Sequence, residues 1–180
     1  GASACSGSCV TLSVAFTGTG PWTFVHSIGG VNQPAITTNN NPYTFCVTVA
    51  GTYDIVSVTS GPNNFCSGTF SGSIPVVINP LPTATLSASA STCSGIDHCF
   101  TVNLTGTGPW SITVNDPSPI NAVIPNINNG YQYCVGAAGA YQIVSVTDAN
   151  TCTNTVASPI VNLTVNALPI VTASSNTPVN

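Results

Sequence analysis

The stretch Ala50-Gly51-Thr52-Tyr53-Asp54-Ile55-Val56-Ser57-Val58-Thr59 decides how this chain folds, because it is written twice. Ala138-Gly139-Ala140-Tyr141-Gln142-Ile143-Val144-Ser145-Val146-Thr147 follows at an offset of 88. β-Branched residues dominate both copies and a glycine opens each, so the stretch reads as a strand rather than a helix. The same offset relates Thr17-Gly18-Thr19-Gly20-Pro21-Trp22 to residues 105–110, and Tyr43-Thr44-Phe45-Cys46-Val47 to Tyr131-Gln132-Tyr133-Cys134-Val135. The chain is a tandem duplication, each repeat being one folding unit.

Within a repeat, alternating apolar residues are interrupted about every eight to twelve positions by Gly, Pro and Asn, the pattern of an all-β sandwich. Repeat one predicts strands at residues 9–16, 22–28, 33–38, 43–49, 52–59 and 69–78; repeat two adds an opening strand at 81–90. The expected fold is all-β: two tandem immunoglobulin-like β-sandwiches, the first lacking its opening strand, plus a C-terminal donor strand. The expected domains are 1–79 (incomplete), 80–167 and 168–180.

The missing strand comes from the hinges. Each repeat closes on an apolar strand followed by Asn79-Pro80-Leu81-Pro82 or Asn166-Ala167-Leu168-Pro169, where proline ends ladder pairing. After the first hinge, Thr83-Ala84-Thr85-Leu86-Ser87-Ala88 opens repeat two; after the second come Ile170-Val171-Thr172-Ala173-Ser174. Repeat one starts at Gly1-Ala2-Ser3-Ala4-Cys5, which aligns with residues 89–93, so it has no counterpart of residues 81–88. A sandwich short of one strand exposes backbone donors and acceptors beside an apolar groove, and an added strand relieves both. The expectation is head-to-tail exchange, with residues 168–179 of one copy completing residues 5–78 of the next through Leu168, Ile170, Val171, Thr172, Ala173 and Val179. The plainer alternatives are a piece of a longer tandem array or a frayed tail.

At 180 residues the chain holds two small domains, each near the size below which a core needs help. Its eight cysteines, four per repeat, point to an oxidising compartment. Inward parity of Val10, Leu12, Val14 and Phe16 puts Cys9 on the outer face, and inward Tyr43, Phe45 and Val47 do the same for Cys46. These strands are neighbours in such a sandwich, which pairs Cys9 with Cys46 and, likewise, Cys99 with Cys134. The other four stay open. Pairing within a repeat, Cys5 with Cys66 and Cys93 with Cys152, is simpler, although sandwich topology sets these positions at opposite ends. Pairing between stacked domains, Cys5 with Cys152 and Cys93 with Cys66 of the next copy, links a polymer covalently.

There is no Lys or Arg, and the only acids are Asp54, Asp97, Asp116 and Asp148, for a net charge of −4. Without cations the chain cannot displace counterions from phosphate, which excludes nucleic-acid binding. Lysine isopeptide bonds and cleavage by trypsin-like proteases are excluded too. A surface solvated by Ser, Thr and Asn, with weak net repulsion, favours close packing of copies. No apolar run is long enough to span a bilayer. Gly1 is read as a processed N-terminus, giving an extracellular or cell-surface location after signal-peptide removal.

Catalysis has few candidates. His98 beside Asp97 reads as solvated decoration; His26 shares the inward parity of Trp22, Phe24 and Ile28 and reads as a core histidine. Four dispersed carboxylates do not make a calcium site, so no metal, cofactor or enzymatic activity is expected. Trp22 and Trp110, after Gly-Pro, read as core tryptophans rather than sugar platforms, and Tyr53 and Tyr141 as tyrosine corners. Val56, Val58, Val144 and Val146 fall on the opposite parity from Ile55 and Ile143, which predicts a sheet apolar on both faces and packed laterally against a neighbour. Asn103-Leu104-Thr105 and Asn162-Leu163-Thr164 fit the glycan sequon, in a chain so rich in Asn and Thr that chance also supplies it.

Cys-Ser-Gly at Cys5 and again at Cys93, the Thr-Gly-Thr-Gly-Pro-Trp motif, the Tyr-x-Ile-Val-Ser-Val-Thr strand and the Asn-Pro-Leu-Pro hinge together resemble the immunoglobulin-like or PKD-like repeats of large secreted surface proteins in Bacteroidota-type bacteria. The resemblance covers both repeats and implies spacers, stalks and adhesive arrays. It implies structural roles for Cys5, Cys66, Cys93 and Cys152, from which Cys9, Cys46, Cys99 and Cys134 depart as an added pair per repeat. In assembly logic the chain is similar to donor-strand pili. The expected function is a structural subunit of an extracellular filament, with itself as partner; the alternative is a cell-surface adhesion or carbohydrate-binding module, with surface glycans as partners.

Overall fold

The computed structural model of the chain describes residues 1–62, 66–155 and 157–174. The chain divides into two compact units, Gly1–Leu81 and the residues from Pro82 onward. Unit 1 contains β1 (Ala2–Cys5), β2 (Val10–Val14), β3 (Trp22–Ile28), β4 (Val31–Asn32), β5 (Ile36–Thr38), β6 (Tyr43–Val47), β7 (Gly51–Ser60), β8 (Cys66–Ser67) and β9 (Ser73–Asn79). Unit 2 contains β10 (Thr83–Leu86), β11 (Ala90–Cys93), β12 (His98–Thr105), β13 (Trp110–Asn115), β14 (Ala122–Ile127), β15 (Tyr131–Val135), β16 (Gly139–Thr147), β17 (Thr153–Asn154) and β18 (Val161–Asn166). Among the described residues no helix is long and apolar enough to cross a membrane.

Each unit packs a large sheet against a small one. In unit 2 the large sheet runs β11-β18-β16-β13-β14 with β17 beside β16, and the small one runs β10-β12-β15. In unit 1 the large sheet runs β1-β9-β7-β3-β4, with β5 beside β3 and β8 beside β7. Among the described residues its small sheet is β2-β6 alone. The opening strand of a repeat, predicted as one piece over 81–90, is in fact two: β10 pairs antiparallel with β12, then the chain crosses to the other sheet and β11 pairs parallel with β18. Unit 1 keeps the second piece, β1 parallel to β9, and among the described residues no strand takes the place of the first.

Periodicity of two sets the cores. In unit 2, Leu86, Phe100, Val102, Leu104, Ile112 and Val114 are buried with Tyr141, Ile143 and Val146. In unit 1 the buried cluster is smaller: Val10, Leu12, Val47, Tyr53 and Val76. The tyrosines are corners in both repeats, Tyr53 Oη donating to Val49 O at 2.9 Å and Tyr141 Oη to Ala137 O at 2.7 Å. The Thr-Gly-Thr-Gly-Pro-Trp motif closes on itself: the Trp22 indole donates to Thr17 O and the Trp110 indole to Thr105 O, each at 3.0 Å. The second glycine is where the ring lies, since a Cβ on Gly20 or Gly108 meets Trp22 at 2.8 Å or Trp110 at 2.5 Å.

One parity expectation is corrected. Val25 pairs with Ser57 but His26 with Ile55, and Thr113 pairs with Ser145 but Val114 with Ile143. Val56 and Val144 are therefore the extra residues of β-bulges, and a bulge reverses the facing of everything beyond it. Val146 turns inward and is 3% exposed. The doubly apolar sheet face, and the lateral packing inferred from it, are removed.

Candidate strand-acceptor groove

Unit 2 shows what a filled position looks like. Across β10 and β12, Thr83 stands opposite Thr105, Ala84 opposite Leu104, Thr85 opposite Asn103 and Leu86 opposite Val102. Ser87 N donates to Thr101 O at 2.9 Å, extending the ladder, and the Thr83 and Thr105 hydroxyls share a hydrogen bond of 2.7 Å. Pro82 and Leu86 are buried and Ala84 is half-buried, while Thr83 and Thr85 face out. Beneath them Val102, Ile143 and Val146 are all but inaccessible. At the start of the strand Asn154 Nδ2 holds Pro82 O at 2.9 Å.

The same floor in unit 1 is open. Val14, Phe16, Ile55 and Val58, equivalent to Val102, Leu104, Ile143 and Val146, are only half-buried. Among the described residues β2 pairs with β6 alone. Along its other side runs a cleft of about 400 Å³ lined by Val14, Phe16, Trp22, Ile55, Val58 and Phe70. A second, of about 140 Å³, shares Val14, Ala15, Ile55 and Ser71 with it and reaches Leu12, His26 and Ile74. Phe16 stacks on Trp22 with centroids 5.2 Å apart, so the floor at this end is aromatic. The Phe16 amide and carbonyl are satisfied by the side chain of Asn41, at 2.9 and 2.7 Å. The register seen in unit 2 assigns the free edge to the alternate residues Ser13 and Ala15.

Of the expected donor residues, Leu168, Ile170, Val171, Thr172 and Ala173 are exposed and in no strand. Ile170 is 89% and Val171 92% exposed, the two most exposed large apolar side chains among the described residues. Val179 lies outside the described residues.

Two bridges join neighbouring strands on their outer faces. Cys9 is bonded to Cys46 with Cα atoms 5.7 Å apart, and Cys99 to Cys134 with Cα atoms 3.8 Å apart. Cys99 and Cys134 are directly opposed, whereas Cys46 opposes Thr11, so the first bridge is diagonal. Cys5 and Cys152 are also disulfide-bonded, but Cys66 and Cys93 are exposed free thiols. The within-repeat pairs Cys5–Cys66 and Cys93–Cys152 are therefore not made. Cys5 stands opposite Asn79, beyond the Gly51 end of β7, and Cys66 opposite Ser60 at its other end. A ten-residue strand holds such positions about 30 Å apart, and a bridge tolerates less than about 7 Å between Cα atoms.

The titratable groups are dispersed. His26 is 9% exposed, packed against Phe45 and Tyr53, and its Nδ1 has no hydrogen-bond partner. Burial lowers its pKa. His98 sits edge-on to Phe100 at 4.8 Å. Asp116 accepts from the Ser118 amide and hydroxyl and, at 2.8 Å, from Tyr133, and its pKa is lowered chiefly by the Ser118 hydroxyl. Desolvation and this carboxylate raise that of Tyr133. Asp148, which sequence pattern alone does not single out, is buried and accepts from the amides of Thr107, Asn150 and Cys152, fixing the corner after β16. The Asp-Ala-Asn-Thr run after the strand was its available turn signal. No three His, Cys or Asp side chains among the described residues are placed to share a metal ion.

These features define a class: an all-β protein of two tandem immunoglobulin-like sandwiches carrying disulfides. An I-band fragment of titin matches with a TM-score of 0.58 at 16% identity over 92% of this chain, which spans 62% of that fragment. The IG1 and IG2 domains of DIP-gamma match with a TM-score of 0.47 at 14% identity, over 91% of this chain and 92% of that one. Fibronectin(III)-like modules of Clostridium thermocellum CbhA match with a TM-score of 0.40 at 15% identity, over 98% and 95%. No protein-family model and no curated protein matches the sequence.

Proposed function

We propose that the chain is a structural subunit of an extracellular filament that grows head to tail, the tail of one copy completing unit 1 of the next as an added strand. The observation that carries this reading is the equivalence of three segments. The vacant side of β2 corresponds to the side of β12 that β10 covers, and residues 170–173 follow the second hinge as Thr83–Leu86 follow the first. Transferring the β10–β12 register sets Ile170 opposite Thr17, Val171 opposite Phe16, Thr172 opposite Ala15 and Ala173 opposite Val14. Val171 and Ala173 then face the groove, as Ala84 and Leu86 do in unit 2. The free edge and the exposed apolar tail are each unfavourable alone and relieve one another. Disulfides suit a surface or secreted location.

The test is assembly of the 180-residue chain against the same chain truncated after Ala167. Negative-stain images and sedimentation are expected to show filaments for the first and discrete particles for the second. Equal polymerisation of both, or a full-length monomer whose tail occupies its own groove, overturns the proposal.

A further inference from the structure

We propose that Cys93 of one copy and Cys66 of the next form an intermolecular disulfide that locks each joint of the filament. The inference rests on the strand-exchange reading and adds a covalent bond to it. Both thiols are free and exposed. Cys93 ends β11 opposite Asn166, the last residue of β18, and Ser94 N donates to Asn166 O at 2.8 Å. It therefore stands where the tail leaves unit 2. Cys66 stands opposite Ser60 and lines the acceptor cleft together with Phe16, Thr17 and Trp22. Thr17 is the residue set opposite Ile170. Three residues separate Asn166 from Ile170, a reach of at most about 14 Å over four steps of the chain, so seating the tail carries Cys93 to the end of the groove where Cys66 waits.

The other pair of equivalent cysteines supports the assignment. Cys5 corresponds to Cys93: it stands opposite Asn79 as Cys93 does opposite Asn166, and Ser6 N donates to Asn79 O at 2.7 Å. Cys152 corresponds to Cys66, preceding β17 at the corner whose Asn154 holds Pro82 at the start of β10. Cys5 and Cys152, the cysteines at the first hinge and at the start of the filled position, are both oxidised. Cys66 and Cys93, the cysteines at the vacant position and at the second hinge, are the two left reduced. An exposed thiol is an unusual feature in a chain that oxidises its other six cysteines, and a second copy supplies each with a partner.

The chemistry is thiol–disulfide exchange with a small-molecule or oxidoreductase disulfide as oxidant. One cysteine thiolate attacks that disulfide, forming a mixed disulfide and releasing one thiolate. The second cysteine then displaces the other, leaving the Cys66–Cys93 bond and two reduced thiols. Each cysteine loses one proton, and the oxidant accepts both electrons.

The experiment mixes ¹⁴N- and ¹⁵N-labelled chains before oxidative assembly and digests the unreduced product with pepsin. A Cys66–Cys93 peptide pair of hybrid isotope mass is expected, with a ladder of covalent oligomers on denaturing, non-reducing gels that dithiothreitol collapses to monomer. Cys93→Ser is expected to abolish the ladder while sedimentable filaments persist, and Cys66→Ser to abolish the ladder likewise. Filaments that denature to monomers with both thiols alkylated, or a linked peptide only of uniform isotope mass, overturn the disulfide and leave strand exchange standing. Absence of any filament overturns both.

Discussion

Leu86 stands opposite Val102 across β10 and β12, and both are buried. Val14, the equivalent of Val102, pairs only with Tyr43 of β6 among the described residues and is half-exposed. The repeats share strand order, tyrosine corners and tryptophan turns, so the difference in burial follows from one strand. That strand is worth the covering of four side chains that unit 2 hides, at roughly 25 cal/mol per Å² of apolar surface.

The register fixes which tail side chains matter. Val171 faces the groove and Ile170 faces solvent, because successive residues of a strand point to opposite sides. Val171→Asp places a charge against Phe16 and Val58 and is expected to abolish filaments; Ile170→Asp is expected to leave them. Sedimentation of the two variants, which share charge and neighbourhood, decides it. Loss in both alike contradicts the register.

A synthetic peptide of residues 168–174 competes for the same groove. Binding only the folded state, it stabilises unit 1 by RT ln(1 + [L]/Kd), about 2.7 kcal/mol at a hundredfold excess over Kd. The expected outcome is a rising melting temperature of the first unit and shorter filaments as peptide is added. Calorimetry and length distributions from electron micrographs measure the two effects.

The sequence carried much of this. The duplication locates both units, parity places Cys9, Cys46, Cys99 and Cys134 on outer faces, and the pattern bounds Trp22–Ile28 to the residue. It lost parity at Val56 and Val144, because a bulge is a backbone event that leaves the alternation of Ile, Val and Ser unchanged. It also reads residues 81–90 as one strand, since crossing between sheets at Ser87, Ala88 and Ser89 uses small residues that suit strand and loop equally. Spacing assigns Cys66 and Cys93 to their repeats but not their bonding, which depends on distances along β7 and β16 that spacing does not give.

The two outer-face bridges close loops of similar length, 37 and 35 residues apart in sequence, so each contributes about 2 to 4 kcal/mol. They are not equally dispensable. Unit 1 has the smaller buried cluster, and Cys46→Ser is expected to unfold it well below the transition of unit 2, whereas Cys134→Ser leaves unit 2 folded at room temperature. Circular dichroism melts of both variants, with the groove peptide added to one series, give the order of unfolding. The peptide is expected to rescue Cys46→Ser and to have no effect on Cys134→Ser.

His26 gives unit 1 a pH dependence to which its equivalent in the second repeat, Val114, fully buried in the core, contributes nothing. Burial favours the neutral imidazole and lowers its pKa below the ordinary 6.5, and Nδ1 has no partner to offset the cost of charging. The unfolded chain takes up the proton first as pH falls. Stability is thus complete above about pH 6.5 and declines below it, until the folded state also protonates. His26→Val, which writes the second repeat's residue into the first, is expected to raise the melting temperature of unit 1 and to flatten its dependence between pH 7 and 5. Melts across that range, with Val114 of unit 2 as the internal control, measure both; a slope that persists in His26→Val places the titrating group elsewhere.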